Sequence, residues 1–339
     1  MRLARVVHAL PQLSTSNSGM FWRNTPEWRP NGSARESVAE TPLIERTCII
    51  GAATGAGARD TGCQQAPDFL AATDMLTDLR QAGASVSWDR TVRAEAVDGH
   101  DDALPITADF CERLADTVQW AVARGQRFCV LGGDHSCAIG TWSGAHHALR
   151  HHGKLGLLWV DAHMDAHTPD TSPSGAIHGM PLACLLGYGV KVLCEVGGRR
   201  PQLVPANVCL VGVRSYESAE TELLETLGVR IFDMDEIRRR GLHAVMDEAL
   251  TIVYRNTAGF GITIDLDAID PADAPGVGSP EPGGICGKDL AKSLRNVAKN
   301  RAFLGAEIAE FNPQWDMEGK TAALVRELVA AVTEREGRA

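Results

Sequence analysis

Acidic and histidine side chains follow three apolar stretches of this 339-residue chain, each at the point where the stretch ends. Phe128–Leu131 is followed by Gly-Gly-Asp-His, Leu155–Val160 by Asp-Ala-His-Met-Asp, and Phe260–Ile264 by Asp-Leu-Asp. Hard carboxylate oxygens mixed with two imidazoles suit a pair of divalent cations, so the pattern predicts a two-metal hydrolase. The six candidate ligands are His135, Asp161, His163, Asp165, Asp265 and Asp267.

The composition excludes several other classes of protein. A hydrophobic fraction of 44% in 339 residues is enough for a large core. The formal net charge of -10, without a run rich in Lys or Arg, argues against nucleic acid or an anionic membrane surface as a partner. A small cationic substrate is compatible with this charge.

The cysteines and the lengths of the apolar runs predict the cellular location of the protein. The nine cysteines are odd in number and scattered, and no Cys-x-x-Cys pair is present. They are typical of reduced, mostly buried residues, which predicts a cytoplasmic protein. No run approaches the roughly 20 apolar residues of a membrane helix, and no secretory signal opens the chain, so we expect no membrane association.

From about residue 44 the chain alternates short apolar strands with amphipathic helices, the pattern of a parallel sheet covered on both faces. We predict one α/β domain over residues 44–335, a three-layer α/β/α fold with a mostly parallel sheet of about eight strands. The expected strands contain residues 48–51, 84–87, 128–131, 155–160, 208–211, 229–232, 262–264 and 303–308. The expected helices are 108–124, 138–152, 218–227, 235–254, 287–299 and 321–335.

The two ends of the chain lie outside this domain. Prolines, serines and asparagines interrupt any periodicity in residues 1–43, which we interpret as a polar extension, disordered or in contact with another subunit. A faint likeness to an organelle transit peptide comes from its arginines and serines. Residues 336–339 are expected to be a short tail.

In an open parallel sheet, ligands bind beyond the carboxyl ends of the strands, where neighbouring loops converge. All the acidic and histidine motifs fall there, including Glu310, which follows the last apolar run. A lone Asp-x-Asp is usually a solvated turn and a lone Asp-x-His is weak evidence, but their shared placement with His135 favours one site.

With these motifs, the chain resembles the arginase/agmatinase family of ureohydrolases over roughly residues 44–332. The resemblance implies two Mn²⁺ ions, although such ligands also accept other divalent transition metals. It assigns His135, Asp161, Asp165 and Asp265 to one ion, and Asp161, His163, Asp265 and Asp267 to the other. It also implies a homo-oligomer, a trimer or hexamer.

The resemblance also implies a reaction, in which a metal-bridging hydroxide attacks the carbon of a guanidinium group and releases urea and an amine. His178, in Ser174-Gly-Ala-Ile-His178-Gly179, resembles the family's proton-shuttling histidine, and Glu310 resembles the glutamate that orients the guanidinium. Asp165 is expected to serve catalysis as well as metal binding. An ordinary loop hydrogen bond for His178 and a structural ion pair for Glu310 are the alternatives.

The residues expected at the amino-acid end favour L-arginine, which would give L-ornithine and urea, over other guanidino substrates. Ser174 is expected to contact an α-carboxylate, and Glu217 an α-amino group. His167 and Ala176 stand where arginases usually carry Asn, and Glu217 where they carry Asp. Because these departures alter the pocket, agmatine or another guanidino acid is the alternative substrate.

Two other classes remain as more distant alternatives. Zinc-dependent amide deacetylases resemble this fold and also use Asp-x-His with a distant Asp, but they bind one catalytic metal. A non-enzymatic protein that binds a guanidino ligand could keep the fold, but it would be expected to lose metal ligands, and here none is missing.

Overall fold

The computed structural model describes residues 46–95, 103–198 and 201–333. The predicted extension of residues 1–43 and the tail of residues 336–339 lie outside these ranges. The strands are β1 Thr47–Ala53, β2 Val86–Arg93, β3 Arg127–Leu131, β4 Leu155–Val160, β5 Val208–Val213, β6 Arg230–Asp233, β7 Gly259–Asp265 and β8 Phe303–Ala309. In the part described, no helix is both long and apolar enough to cross a membrane.

The eight strands form one sheet in the order β2-β1-β3-β8-β7-β4-β5-β6, and every neighbouring pair is parallel. The predicted number of strands is confirmed, and the sheet is entirely rather than mostly parallel. The six inner strands are buried on both faces, which explains why their sequences are nearly continuous apolar runs, whereas the edge strands β2 and β6 are partly exposed and carry charged residues.

Helices cover both faces of the sheet, which confirms the predicted three layers. The helices are α1 Ala66–Ala71, α2 Met75–Gln81, α3 Ala103–Ala123, α4 Cys137–Leu149, α5 Pro181–Leu185, α6 Lys191–Cys194, α7 Ser218–Leu227, α8 Met234–Arg240, α9 Leu242–Tyr254, α10 Gly287–Lys299 and α11 Lys320–Thr333. One apolar core lies between the sheet and α1, α2 and α8 to α11, and the other between the sheet and α3 to α7. Successive residues of β1 point to opposite cores, Ile49 to the first and Ile50 to the second.

The helix predicted over residues 235–254 is wrong as a single element, because α8 ends at Arg240 and α9 begins at Leu242. Gly241 between them has a φ of 83°, in the left-handed region that only glycine adopts readily. A continuous helical pattern of side chains concealed this break. The short helices α1, α2, α5 and α6, four to seven residues each, were not predicted.

Close packing of α4 on the sheet fixes the place where the acidic and histidine motifs meet. Gly261 in β7 faces Trp142 of α4, and a Cβ at that position would overlap the indole ring. Trp142 is fully buried. Since α4 begins two residues after His135 and β7 ends at Asp265, this contact holds the two motifs at a short distance.

Candidate metal centre

His135 lies at the centre of the first group of candidate ligands. Its Nδ1 is 2.9 Å from Asp165 Oδ2, 3.1 Å from Asp161 Oδ2 and 3.2 Å from Asp265 Oδ2. All four residues are buried. The turn from β3 to His135 needs glycine at Gly133, whose φ is 85° and where a Cβ would lie 2.6 Å from a backbone oxygen.

His163 belongs to a second group that shares Asp161 with the first. Its Nδ1 is 3.0 Å from Asp267 Oδ2 and 3.5 Å from Asp161 Oδ1. The His163 side chain is 28% exposed, whereas those of Asp161 and Asp267 are buried, so the second group faces the open side of the cluster. The structure therefore brings together all six residues that the sequence singled out as ligands.

Hydrogen bonds behind His135 make its Nε2 a donor, so the neutral ring has its lone pair on Nδ1. Thr263 Oγ1 donates its only proton to Glu307 Oε1 at 2.8 Å, so it must accept from His135 Nε2, which lies 3.0 Å away. This fixes the tautomer with the proton on Nε2. In the neutral ring the Nδ1 lone pair faces three carboxylate oxygens. Without a metal, burial opposes a charge on His135, but hydrogen bonds with Asp161, Asp165 and Asp265 raise its pKa well above the usual range.

A cation fits this arrangement, and the protein alone does not satisfy it. His135 Nδ1 and Asp165 Oδ2 are both buried, and with the ring proton on Nε2 neither atom has a hydrogen-bond partner. Leaving such groups buried costs roughly 1–3 kcal/mol each, and more for charged groups. Imidazole nitrogen and carboxylate oxygen are ligands that Mn²⁺, Zn²⁺ and related ions accept, so the donor set matches a divalent transition metal.

Without a cation among them, the buried carboxylates disfavour each other's charges. Burial and the charge of Asp161 raise the pKa of Asp165 to about 7. Burial and the charges of Asp267 and Asp161 raise the pKa of Asp265 well above its usual range. Burial opposes the charge on Asp161 as well, but hydrogen bonds with His135 and His163 hold its pKa low.

Asp165 and Glu310 carry backbone strain at this site. Their φ angles are 50° and 65°, and Asn256 is the one other residue besides glycine with positive φ among the residues described. Such conformations cost on the order of 1–3 kcal/mol and cluster at functional sites. The strain is consistent with the predicted roles of both residues.

Glu310 joins the metal-ligand cluster to His178. Glu310 Oε1 accepts the backbone N–H of His135 at 2.8 Å and lies 3.1 Å from His178 Nδ1. Burial alone would lower the pKa of His178, but the hydrogen bond and the charge of Glu310 raise it to about 9. The Cys63 thiol, which the sequence did not identify, donates to Glu310 Oε2 at 3.2 Å.

The residues predicted for the amino-acid end fall into two places. His167 Nε2 lies 2.9 Å from Glu217 Oε2 and 3.4 Å from Glu220 Oε2. Ser174 is exposed, and its hydroxyl accepts the N–H of Ala176 at 3.1 Å within its own loop. Sequence reasoning missed Glu220, although the spacing Glu217-x-x-Glu220 is that of a helix capping box, which α7 has.

Sequence reasoning also missed Arg214, which holds in place the loop beside the His163 group. Its guanidinium donates to the carbonyls of Gly212, Asp267, Ala268, Glu281 and Pro282 over 2.6–3.2 Å. The loop it holds brings Glu281 Oε1 to 3.8 Å from His163 Nε2. No sequence pattern marks an arginine whose partners are backbone oxygens.

A protein-family model described as the arginase family matches residues 45–333. The chain belongs to the arginase family. This family member is 41% identical over 229 residues to an arginase of Bacillus caldovelox, covering 68% of this chain and 76% of that one. It is 34% identical over 289 residues to an arginase of Bacillus subtilis, covering 84% and 96%.

The fold of this family member matches a solved arginase as well. The native structure of the Bacillus caldovelox arginase at pH 5.6 superposes with a TM-score of 0.80 at 34% identity, covering 87% of this chain and all of that one. The resemblance predicted from the sequence is therefore confirmed. The chain is an arginase-family hydrolase with candidate metal-binding groups, which argues against the deacetylase and the non-enzymatic alternatives.

Proposed function

We propose that this arginase-family hydrolase converts L-arginine to L-ornithine and urea. The observation that carries the proposal is the pair of ligand groups around His135 and His163, joined by Asp161, in a chain 41% identical to an arginase over most of its length. Either group alone would suit one metal. Two groups sharing a carboxylate suit a binuclear centre.

The proposed ligands of one Mn²⁺ are His135, Asp161, Asp165 and Asp265, and those of the other are Asp161, His163, Asp265 and Asp267. Four carboxylates balance the four positive charges of two dications. When bound, the two ions would lower the pKa of water and so supply a nucleophile at neutral pH. Trp159 Nε1 donates to Asp161 Oδ2 at 2.9 Å and holds the shared carboxylate in place.

Glu310 is proposed to bind the guanidinium group of the substrate. Its carboxylate is buried and held by the His135 N–H, so it is oriented before the substrate arrives. Burial opposes its charge, but the hydrogen bond with His178 keeps its pKa below the usual range. An ionised carboxylate pairs with a guanidinium through charge-assisted hydrogen bonds.

His178 is proposed to deliver the proton that the departing amine needs. Its Nδ1 faces Glu310, which leaves Nε2 free of that contact and able to transfer a proton to substrate nitrogen. The backbone N–H of His178 donates to Gly57 O at 3.1 Å, which anchors the loop that carries it. A positioned histidine of this kind contributes about 10²–10⁴-fold to a rate.

The amino-acid end is proposed to consist of Glu217 and His167, with Ser174 at the carboxylate. Glu217 lies at the start of α7, its side chain 57% exposed, where it can receive an α-ammonium group. His167 can donate to a carboxylate. Ala176 lacks a polar side chain, which is the observation that keeps agmatine and shorter guanidino acids as candidate substrates.

Urea release by the manganese-loaded protein tests the proposal against arginine, agmatine, guanidinobutyrate, guanidinopropionate and guanidine. We expect the highest kcat/KM with arginine. Glu217→Gln should raise KM for arginine more than for guanidinobutyrate, which has a carboxylate but no amino group for Glu217 to bind. Glu225→Gln, an exposed position on the same helix, serves as the control and should change neither value.

A preference for another member of the panel would keep the hydrolase and discard arginine as its substrate. Equal effects of Glu217→Gln on both substrates would remove Glu217 from the amino-acid end. No urea from any guanidino compound would overturn the proposed reaction.

A further inference from the structure

The two carboxylate oxygens of Glu310 have different surroundings. Oε1 accepts the backbone N–H of His135 at 2.8 Å and lies 3.1 Å from His178 Nδ1. An ionised carboxylate only accepts, and each oxygen has about two lone-pair positions, so these two donors occupy Oε1 fully. Among the residues described, Oε2 has one donor, the Cys63 thiol at 3.2 Å, and it therefore keeps one position for a substrate N–H.

The Cys63 thiol acts in this contact as a donor and not as a nucleophile. Cys63 is fully buried, and burial together with the charge of Glu310 raises the pKa of its thiol well above the usual range. The thiol therefore keeps its proton at neutral pH, whereas nucleophilic chemistry requires the thiolate. Its contribution to the site is the hydrogen bond to Glu310.

Backbone hydrogen bonds hold Cys63 and Glu310 at this distance from each other. Gly133, in the turn after β3, donates its N–H to Cys63 O at 3.4 Å and accepts the N–H of Glu310 at 2.9 Å. Glu310 itself has a φ of 65°, so its strained backbone is fixed by the same turn. The thiol and the carboxylate thus meet across one peptide unit.

The short turn Thr61–Gln65, which carries the thiol, is also tied to the segment that follows β8. Asp60 caps the turn by accepting the N–H of Gly62 at 2.9 Å. Its other oxygen accepts from Asn312 Nδ2 at 3.2 Å and from Trp315 Nε1 at 2.8 Å. The thiol therefore has a fixed place beside the carboxylate before any substrate binds.

We propose that Cys63 is a positioning residue, whose thiol holds Glu310 Oε2 in the orientation that receives the guanidinium group of the substrate. The inference rests on the proposed role of Glu310. The terminal torsion of a glutamate is broad, so a carboxylate held through Oε1 alone can turn away from the substrate. Because a thiol is a weak donor, it orients Oε2 and leaves most of the oxygen's charge for the guanidinium.

Cys63→Ala removes the donor, and its kinetics on the best substrate of the guanidino panel test the inference. We expect kcat/KM to fall about 10-fold or more, the effect of losing a hydrogen bond to a charged group. Inhibition by the amine product should be unchanged, since the product has no guanidinium group. Cys63→Ser keeps a donor at this position and should retain kcat/KM to within about 3-fold.

The matched control is Cys209→Ala, because Cys209 is also buried and its thiol donates to Ala249 O at 3.6 Å, between β5 and α9. It loses the same sulfur from the core and should keep its kcat/KM. Unchanged kcat/KM in the Cys63→Ala protein would overturn the inference. An equally large loss in the Cys63→Ser protein, or weaker inhibition by the amine product, would overturn it as well.

The infrared S–H stretching band of Cys63 tests the contact without turnover. The difference spectrum between the unaltered and Cys63→Ala proteins isolates this band, and Cys209→Ala isolates the band of Cys209. The Cys63 band should lie at the lower frequency, because a hydrogen bond to an ionised acceptor is the stronger one, and Glu310→Gln should raise it. A Cys63 band that Glu310→Gln leaves in place would overturn the inference, whereas the absence of urea from every panel member would overturn the proposed reaction.

Discussion

The tautomer of His135 depends on two residues that do not contact the proposed metals. Thr263 accepts from Nε2 and passes its own proton to Glu307, a carboxylate that is fully buried in β8. Burial raises the pKa of Glu307, and the hydrogen bond from Thr263 lowers it in part. The relay leaves the Nδ1 lone pair of His135 directed at the carboxylate cluster.

Replacing Thr263 with valine removes this relay at nearly constant volume. We expect Thr263→Val to weaken manganese binding about 10–100-fold, as loss of an orienting partner does at other metal sites. Isothermal titration of the metal-free protein with Mn²⁺ measures the change. Thr251→Val, an exposed position on α9, is the matched control, and equal affinity of both variants for manganese would disprove the relay.

His178 is predicted to serve the reaction and not the binding of metal. His178→Asn should keep its manganese and lose turnover by about 10²–10⁴-fold, because a proton donor is removed. Metal content and kcat are measured on the same preparation, with His152→Asn at an exposed position as the control. Unchanged turnover in the His178 variant would end its assignment as the proton carrier.

All six metal-ligand candidates could be predicted from the sequence because each follows an apolar strand. The capping-box spacing could have marked Glu220. Cys63 and Arg214 could not be predicted, since their importance lies in contacts with residues far away in the chain, such as Cys63 with Glu310. Ser174 was placed by resemblance. Its hydroxyl bonds within its own loop, and its role in substrate binding stays a prediction.

At the scale of elements, the loop between β7 and α10 depends on Arg214 and Asp270. Asp270 accepts the N–H groups of Ala272, Gly283 and Gly284 at 2.9–3.2 Å, and these bonds lower its pKa. Arg214 ties the same loop to the end of β5 and to the residues after β7. A loop rich in proline and glycine thus acquires a fixed path beside Asp267.

Arg214→Lys keeps the charge but cannot reach five carbonyl groups. We expect the free energy of unfolding to fall by roughly 1–3 kcal/mol, because partly buried carbonyls lose their donors. Hydrogen exchange should increase in residues 271–284, and manganese should bind less tightly because Asp267 lies at the loop's base. Arg239→Lys, at an exposed position on α8, should change none of these quantities. Equal protection of the loop from hydrogen exchange in both variants would contradict the proposed role of Arg214 in holding it.

Most strands and long helices were predictable from the sequence, whereas the interruption of a helix was not. Apolar runs located seven of the eight strands to within a few residues, whereas β2, Val86–Arg93, shares only two residues with the predicted 84–87. The helices α7 and α10 have the predicted bounds. Gly241 interrupts a pattern of side chains that is otherwise continuous, and the periodicity of the flanking residues gives no sign of its left-handed backbone. Helices as short as α5 and α6 contain too few turns for periodicity to register.

At the scale of the whole molecule, the order of the strands gathers the site. The four central strands are β3, β8, β7 and β4. At their carboxyl ends lie, in the same order, His135, Glu310, Asp265 with Asp267, and Asp161 with His163 and Asp165. The sequence predicts each strand end but not which strands are neighbours, because pairing joins residues 43 to 177 positions apart. The cytoplasmic location and the homo-oligomer stay predictions.

The number of manganese ions held per chain tests the two-metal centre most directly. After loading and gel filtration, the protein should retain two manganese ions, and Asp267→Asn should retain one while remaining folded by circular dichroism. Asp170→Asn, an exposed position, should retain two. One manganese in the unaltered protein, or two in the Asp267→Asn protein, would contradict the assignment of the six ligands.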